Sequence, residues 1–414
     1  MSLPKYSEYK KTNLDWLTEV PAHWNIQSCR GVLTNRNEKN KPLINKNYLS
    51  LMANVGVILY EEKGDVGNKK PEDLGKCKQV YPGDLVINSM NYGIGSYGLS
   101  KYRGVCSPVY IVLKPKLDKV EERYVFRILE IKKFQQYAQS FGNGILEHRA
   151  AISWDILKNI KLPLPPIEEQ RKIIQFLDIE IAKIDNLLLE QEKLVQLMKE
   201  RLDALVLNSF EAKDTTQNRL VHSVEVIKRP VIQEEGEMYE PLGLFNRGRG
   251  LFHKELRAKT EMGDSDFFWI EEGDLIISGQ FAWEGSVALA YSEENGCVVS
   301  HRYPVIRGKS EIVLTEYLFA IFTTSYGEFL LNQCSVGAAG RNRPLNLKSL
   351  LKEVIPIPNL KTQRKIADLV HDRRNLIQEI NRQSNLVNDR RAAIVLAAVT
   401  GGIDVRNYRF KESV

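Results

Sequence analysis

Cysteine is scarce in this chain and nowhere paired. Five cysteines, at 29, 77, 106, 297 and 334, are scattered through 414 residues. None forms a CxxC pair, so the sequence points to neither a zinc motif nor a disulfide framework, and a reducing compartment fits best. The six histidines are dispersed, and none stands at metal-ligand spacing from another. No apolar run approaches the roughly 20 residues that span a bilayer. The opening stretch MSLPKYSEYKKTNLDW lacks the apolar segment of a secretory signal. Together these absences lead to the expectation of a cytoplasmic protein.

Signatures of catalysis are missing as well. There is no GxxxxGK followed by Ser or Thr, so ATP hydrolysis has no anchor. There is no Asn-Pro-Pro-aromatic tetrapeptide of the kind an adenine-amino methyltransferase uses. GIGSYG at 93–98 satisfies GxGxxG, but the following LSKYRGVCSPVYIVLKP reads as strand and turn, whereas a dinucleotide site needs a helix there. Those glycines are expected to make a tight turn after a strand. Acidic pairs such as Glu61-Glu62 and Glu271-Glu272 read as solvated loops.

What the sequence does contain is itself, twice. KLPLPPIEEQRKI at 161–173 is matched by VIPIPNLKTQRKI at 354–366. YPGDLVINS at 81–89 is matched by EEGDLIISG at 271–279, and CSPVYIVL at 106–113 by VSHRYPVI at 299–306. ERYVFRIL at 122–129 is matched by TEYLFAIF at 315–322, and HRAAISWDILK at 148–158 by NRPLNLKSLLK at 342–352. The pairs occur in one order at one offset of 190 to 194 residues. The chain is a tandem duplication of a unit of about 200 residues, too long a period for a solenoid. A length of 414 residues also exceeds one comfortable core, so at least two domains are expected.

Each unit shows one plan. Short apolar runs broken by Gly, Asn and Pro predict a compact mixed domain. A Pro-rich hinge and a long helix follow. The first helix is expected from about Ile167 to Asn208, with Glu168 and Glu169 favouring its dipole. Leu177, Ile181, Ile184, Leu188, Gln191, Val195, Met198, Leu202 and Leu205 step alternately by 4 and 3, the spacing of a coiled-coil seam. The second helix is expected from about Leu360, capped by Asn359 or Thr362 and stopped by Gly401 and Gly402. Ile366, Val370, Ile377, Ile380, Val387, Ile394 and Ala398 give it a weaker seam. The blander alternative packs each apolar stripe on its own domain. The preferred expectation is α+β: two similar mixed domains separated by two long helices paired as an antiparallel coiled coil, with pseudo-two-fold symmetry. The boundaries are 1–166, 167–210, 211–359 and 360–414.

With catalysis unsupported, binding remains. The net charge of +6 permits nucleic acid without requiring it. NRNEKNKPLINKN at 35–47 carries Arg36, Lys39, Lys41 and Lys46; RGRGLFHKELRAK at 247–259 carries Arg247, Arg249 and Lys254. Basic side chains among Gly and Asn suit phosphate and base-edge contacts, although one such run alone is usually a solvated loop. After GDL, the first unit offers Asn88, Asn91 and Tyr92, and the second Gln280 and Trp283. A later Gly-rich loop carries Asn143 and Arg149 in the first unit, Arg341 and Arg343 in the second. The framework repeats while these loops differ, as two readers of different words would.

At this point the chain resembles the specificity (S) subunits of type I restriction-modification systems. The carriers are LPLPPIEEQRKI and IPIPNLKTQRKI before long helices, GDLVINS and GDLIISG within the units, VTGGIDVR at 399–406 and WLTEVPAHW at 16–24. The resemblance implies two target recognition domains, each reading half of a bipartite, asymmetric DNA site, and a coiled coil that fixes the gap. It implies no catalytic site in this chain and docking of two methyltransferase (M) subunits, with motor-nuclease (R) subunits completing the enzyme. S-adenosylmethionine, ATP and Mg would then be held by the partners. A coiled-coil scaffold with two protein-binding heads and no DNA role is the competing reading. A fused methyltransferase or nuclease is a third.

Overall fold

The computed structural model describes residues 4–65, 69–142, 151–232, 234–263, 265–337 and 343–408. The chain divides into two compact units, Met1–Leu188 with Ser384–Val414, and Leu189–Gln383. Both long helices therefore contribute a segment to each unit.

In the first unit, β1 (Leu33–Asn35), β2 (Leu85–Asn88), β3 (Tyr97–Leu99) and β4 (Tyr110–Pro115) form an antiparallel sheet in the order β1-β4-β2-β3. Two helices follow, α1 (Glu122–Leu129) and α2 (Lys132–Ser140), then the long α3 (Ile167–Ser209). In the second unit β5 (Val224–Ile227), β6 (Leu275–Ile277), β7 (Val287–Leu289) and β8 (Val305–Gly308) repeat the sheet in the order β5-β8-β6-β7. Then come α4 (Thr315–Phe322), α5 (Ser325–Gln333) and the long α6 (Leu360–Thr400).

The apolar runs around GDL are explained by burial on two faces. Side chains alternate across a strand. Leu85, Ile87, Ile111 and Leu113 face the helices, while Val86, Tyr110 and Val112 face a second cluster with Leu49, Leu51 and Val80. Likewise Leu275, Ile277 and Ile306 face α4, while Ile276 and Val305 meet Leu242, Ile270 and Val299. A sheet covered on both sides needs continuous apolar strands rather than alternating ones.

The long helices begin where the sequence places them. Asn359 Oδ1 accepts from Thr362 N–H at 2.8 Å and so caps α6, which settles the choice between the two candidate caps. Gly401, at φ +81°, ends it. Within the first unit, Ile173, Ile174, Phe176, Leu177 and Ile181 of α3 share a core with Val395, Ala398 and Val399 of α6, and Asp185 pairs with Arg391 at 2.9 Å. Within the second, Leu202 and Val206 share a core with Ile366, Leu369 and Val370, and Gln191 Nε2 donates to Gln383 Oε1 at 3.0 Å. Within each unit the contacts step down α6 as they step up α3, from Ile181 with Val395 to Asp185 with Arg391 in the first and from Gln191 with Gln383 to Leu202 with Val370 in the second, so the segments are antiparallel. One seam position differs from expectation: Leu205 is exposed, and Val206 is buried in its stead. Near its C-terminal end the helix departs from the strict 3.5-residue repeat. No helix among the described residues is long and apolar enough to cross a membrane.

Candidate nucleic-acid interface

The interface is built on a turn that both units form alike. Asp84 of the first GDL is 2% exposed and Asp274 of the second is 0% exposed. Asp84 accepts from the Tyr81 N–H at 2.8 Å, and Asp274 from the Glu271 N–H at 2.9 Å. Asp84 also holds one arginine, Arg36, and Asp274 holds two, Arg229 and Arg307. Burial pushes the Asp84 carboxyl above its ordinary value, while the Arg36 guanidinium pulls it back. Buried carboxylates of this kind persist only when paired. The repeated GDL is therefore structural.

Beyond the strand, the chain makes a short 3-10 turn, Tyr92–Ile94 in one unit and Ala282–Glu284 in the other. Gly95, at φ +89°, and Gly285, at φ +67°, close these turns in the left-handed region, which glycine enters without steric cost. This is the tight turn expected of GIGSYG. Gly98 is needed for close approach instead, since a Cβ there would stand 2.7 Å from the Gly56 Cα.

A hairpin tip docks on each turn. In the first unit the hairpin is Leu49–Met52 with Gly56–Leu59, and the Asn54 N–H donates to the Gly95 carbonyl at 2.9 Å. In the second it is Leu242–Leu244 with Leu251–His253, and the Arg247 and Gly248 N–H groups donate to Glu284 and Gly285 carbonyls at 3.1 and 2.8 Å. Asn54 and Arg247 are the non-glycine residues of positive φ among those described. The two basic runs are thus not equivalents: 35–47 precedes a hairpin, whereas 247–259 starts on a hairpin tip and runs on through the strand Leu251–His253. Asn54 was missed in the sequence because nothing there distinguishes a three-residue tip from an ordinary loop.

In the second unit Gln280, Trp283 and Arg343 come together. Trp283 Nε1 donates to the Gln280 carbonyl at 3.2 Å, and the Arg343 guanidinium lies 5.3 Å from the Trp283 ring centroid. Arg343 is held there by the Ser335 carbonyl at 3.2 Å and Asn332 Oδ1 at 2.6 Å. Arg247 and Arg249 are exposed on the tip, with Arg249 5.3 Å from the Phe245 ring centroid. Lys254 is exposed beyond the hairpin, 5.9 Å from the Phe252 ring centroid. Phe245, Phe252 and Phe281 are exposed as well. Cations over aromatic faces beside exposed amides form a surface suited to phosphate and base edges.

In the first unit the candidates separate. Asn88 and Asn91 line a cleft of about 270 Å³ with Ser50, Met52, Lys63 and Tyr110. Asn88 is largely buried, and its Oδ1 accepts from the Met90 N–H at 3.1 Å. Tyr92 is not a surface reader: it is fully buried, and its hydroxyl donates to the Leu129 carbonyl at 2.5 Å. Ala282 holds the matching first place of the second unit's turn and is buried as well. Arg36 is likewise committed to Asp84, beneath the Tyr81 ring at 4.4 Å. Lys39, Lys41 and Lys46 are exposed on a loop organised by the buried Asn40, whose Oδ1 accepts from Ile44, Asn45 and Gln79. Asn143, Arg149 and Arg341 lie outside the described residues.

The model of the type I restriction modification DNA specificity domain matches residues 21–197 and again 223–388. The chain belongs to that family. Its relatives include the type I restriction enzyme MjaVIII specificity subunit of Methanocaldococcus jannaschii, 21% identical over 80% of this chain and 81% of that one. A putative MjaX specificity subunit of the same organism is 21% identical over 97% of this chain and 98% of its own. A solved structure from work on complex assembly and conformational transition of the type I R-M system superimposes with a TM-score of 0.64 at 15% identity, covering 92% of this chain and 99% of that one. The specificity-domain matches fall on the two structural repeats, so duplication in sequence, fold and family membership coincide.

Proposed function

We propose that each unit of this specificity-family chain reads one half of a bipartite, asymmetric DNA site. In each reader the hairpin tip and the turn after GDL would form the base-contacting edge. The observation that carries this reading is the contrast between repeated framework and unlike loops: Asn54, Asn88 and Asn91 at one edge; Arg247, Gln280, Trp283 and Arg343 at the other. Identical edges would read a palindrome; unlike edges read two different words. Arg suits guanine and Asn or Gln suits adenine through bidentate contacts. Exposed lysines such as Lys39, Lys41 and Lys46 would hold phosphates and make affinity fall with salt.

The chain would supply recognition and assembly, and the chemistry would come from partners. Two methyltransferase subunits would dock on the long helices, whose second-unit stretch exposes Leu189, Leu194 and Leu197. Motor-nuclease subunits would complete the enzyme, with S-adenosylmethionine, ATP and Mg held in those partners. The 43-residue α3, about 60 Å at 1.5 Å per residue, would set the unread gap between half-sites. The setting would be the cytoplasm, where the DNA is.

The test is co-expression with a cognate methyltransferase subunit, followed by genome-wide mapping of methylated adenines. Modification confined to one split motif with a fixed gap is the expected result. A soluble complex that leaves no motif-linked methylation would overturn the reading.

A further inference from the structure

At the feet of its recognition hairpin, the second unit brings a carboxylate, an imidazole and a thiol to one point. Glu240 lies just before strand Leu242–Leu244, His253 ends strand Leu251–His253, and Cys297 immediately precedes strand Val298–Ser300. His253 Nδ1 stands 2.8 Å from Glu240 Oε1. Cys297 Sγ stands 3.8 Å from Glu240 Oε2 and 3.9 Å from His253 Nδ1. One donor atom from each lies within 4.8 Å of the others. Zinc bonds of about 2.0–2.3 Å at tetrahedral angles place donors roughly 3.3–3.6 Å apart. Side-chain adjustments of up to about an ångström would bring one donor from each residue to that geometry.

The surroundings complete the arrangement. Glu294 Oε1 faces the other imidazole nitrogen, His253 Nε2, at 3.7 Å. Its second oxygen accepts from the Tyr291 N–H at 2.8 Å, which fixes the carboxylate in place. A carboxylate facing the far nitrogen, drawn within hydrogen-bond reach, would favour the tautomer protonated there and give the Nδ1 lone pair to a metal in place of its present 2.8 Å contact with Glu240. One thiolate and one carboxylate neutralise a divalent cation, and the mixed S, N and O set is one that zinc accepts.

The duplicated fold supplies an internal control. In the second unit Val298 N–H donates to the Glu240 carbonyl, and Leu242 is registered with His253. In the first, Val105 N–H donates to the Asn47 carbonyl, and Leu49 is registered with Leu59. The positions of Glu240, His253 and Cys297 therefore correspond to Asn47, Leu59 and Gly104. The backbone needs none of the three donors to form this corner, yet the second unit carries them all.

We infer that Glu240, His253 and Cys297 bind one zinc ion, with Glu294 orienting His253. Binding releases the Cys297 thiol proton to solvent and leaves a fourth coordination position for water. The ion ties both feet of the hairpin that carries Arg247 and Arg249 to the neighbouring strand, in this unit alone.

The experiment is cobalt(II) chloride titration of the purified full chain, with zinc content measured in parallel. One equivalent of metal and a thiolate-to-cobalt charge-transfer band are expected, and the band disappears in Cys297→Ser. Glu294→Gln weakens cobalt binding about ten-fold or more, as loss of a partner behind a ligating histidine generally does. His253→Leu installs the residue found at the matching position of the first unit. That variant is expected to fold, by circular dichroism, and to lose the metal and the gain in melting temperature that zinc sulfate gives the parent. The inference is overturned if the parent shows no thiolate-to-cobalt band. It is equally overturned if the band survives Cys297→Ser, or if folded His253→Leu binds cobalt as the parent does. None of these readouts involves DNA, so they stand apart from the recognition reading.

Discussion

Gln170 Oε1 accepts from the Glu121 backbone N–H at 2.9 Å, joining the first turn of α3 to the start of α1. Its Nε2 donates to the Pro165 carbonyl at 2.9 Å. In the second unit Gln363 does the same, accepting from the Leu314 N–H at 2.8 Å and donating to the Pro358 carbonyl at 2.8 Å. Both glutamines are 0% exposed. The repeated QRKI is thus a clasp between a helix start and the preceding domain. Gln170→Ala leaves buried backbone groups unpaired and should cost roughly 2–3 kcal/mol. Gln363→Ala should cost a similar amount. Denaturant unfolding with hydrogen exchange should locate each loss in its own unit.

Arg36 should behave as a stability residue. Removing it strands the Asp84 carboxylate, which is 2% exposed, at a cost of about 3–5 kcal/mol. Arg36→Ala should lower the melting temperature while leaving the salt slope of DNA binding unchanged in the folded protein. Lys41→Ala should do the opposite, reducing that slope by about one with little change in stability.

Trp283 and Arg343 should act as one unit on the second half-site. Arg343→Ala and Trp283→Ala are each expected to weaken binding by about 1–3 kcal/mol. The double variant should lose less than the sum, since both break the same stacked pair. Arg247→Ala should weaken the second half-site only. Competition binding with duplexes altered in one half-site checks this; equal loss at both would contradict separate readers.

The buried thiols at Cys29 and Cys106 should resist alkylation. Burial pushes both up to about 12, and the reactive species is the thiolate. Below that range the native protein holds almost none. Mass spectrometry after treatment with iodoacetamide at neutral pH should find both unmodified until denaturant is added.

The duplication and the helix starts were legible from the repeat offset and from heptad spacing, and capping chemistry narrowed the α6 cap to Asn359 or Thr362. Side-chain roles within the loops were not. Tyr92 and Trp283 follow GDL at nearly the same distance, yet one is core and the other surface, because Tyr92 takes the first, inward place of its 3-10 turn, matched by the buried Ala282, while Trp283 takes the second. Arg36 reads as a solvated cation until Asp84, 48 residues on, is placed beside it. The Glu240, His253 and Cys297 cluster has no local metal spacing to betray it, since strand pairing, not sequence proximity, gathers it.

The first unit depends on residues made after the second. Val395, Ala398, Val399 and Val405 belong to its core, the Asp404 N–H donates to the Pro4 carbonyl at 2.8 Å, and Tyr9 donates to the Gly401 carbonyl at 2.9 Å. The second unit is one uninterrupted stretch, Leu189–Gln383. On a ribosome the second unit can therefore close while the earlier part of the first, Met1–Leu188, still waits for the helix segment that follows Gln383. The half of the protein that is translated first is the half that finishes folding second, and in that interval its open apolar face is what a chaperone would meet.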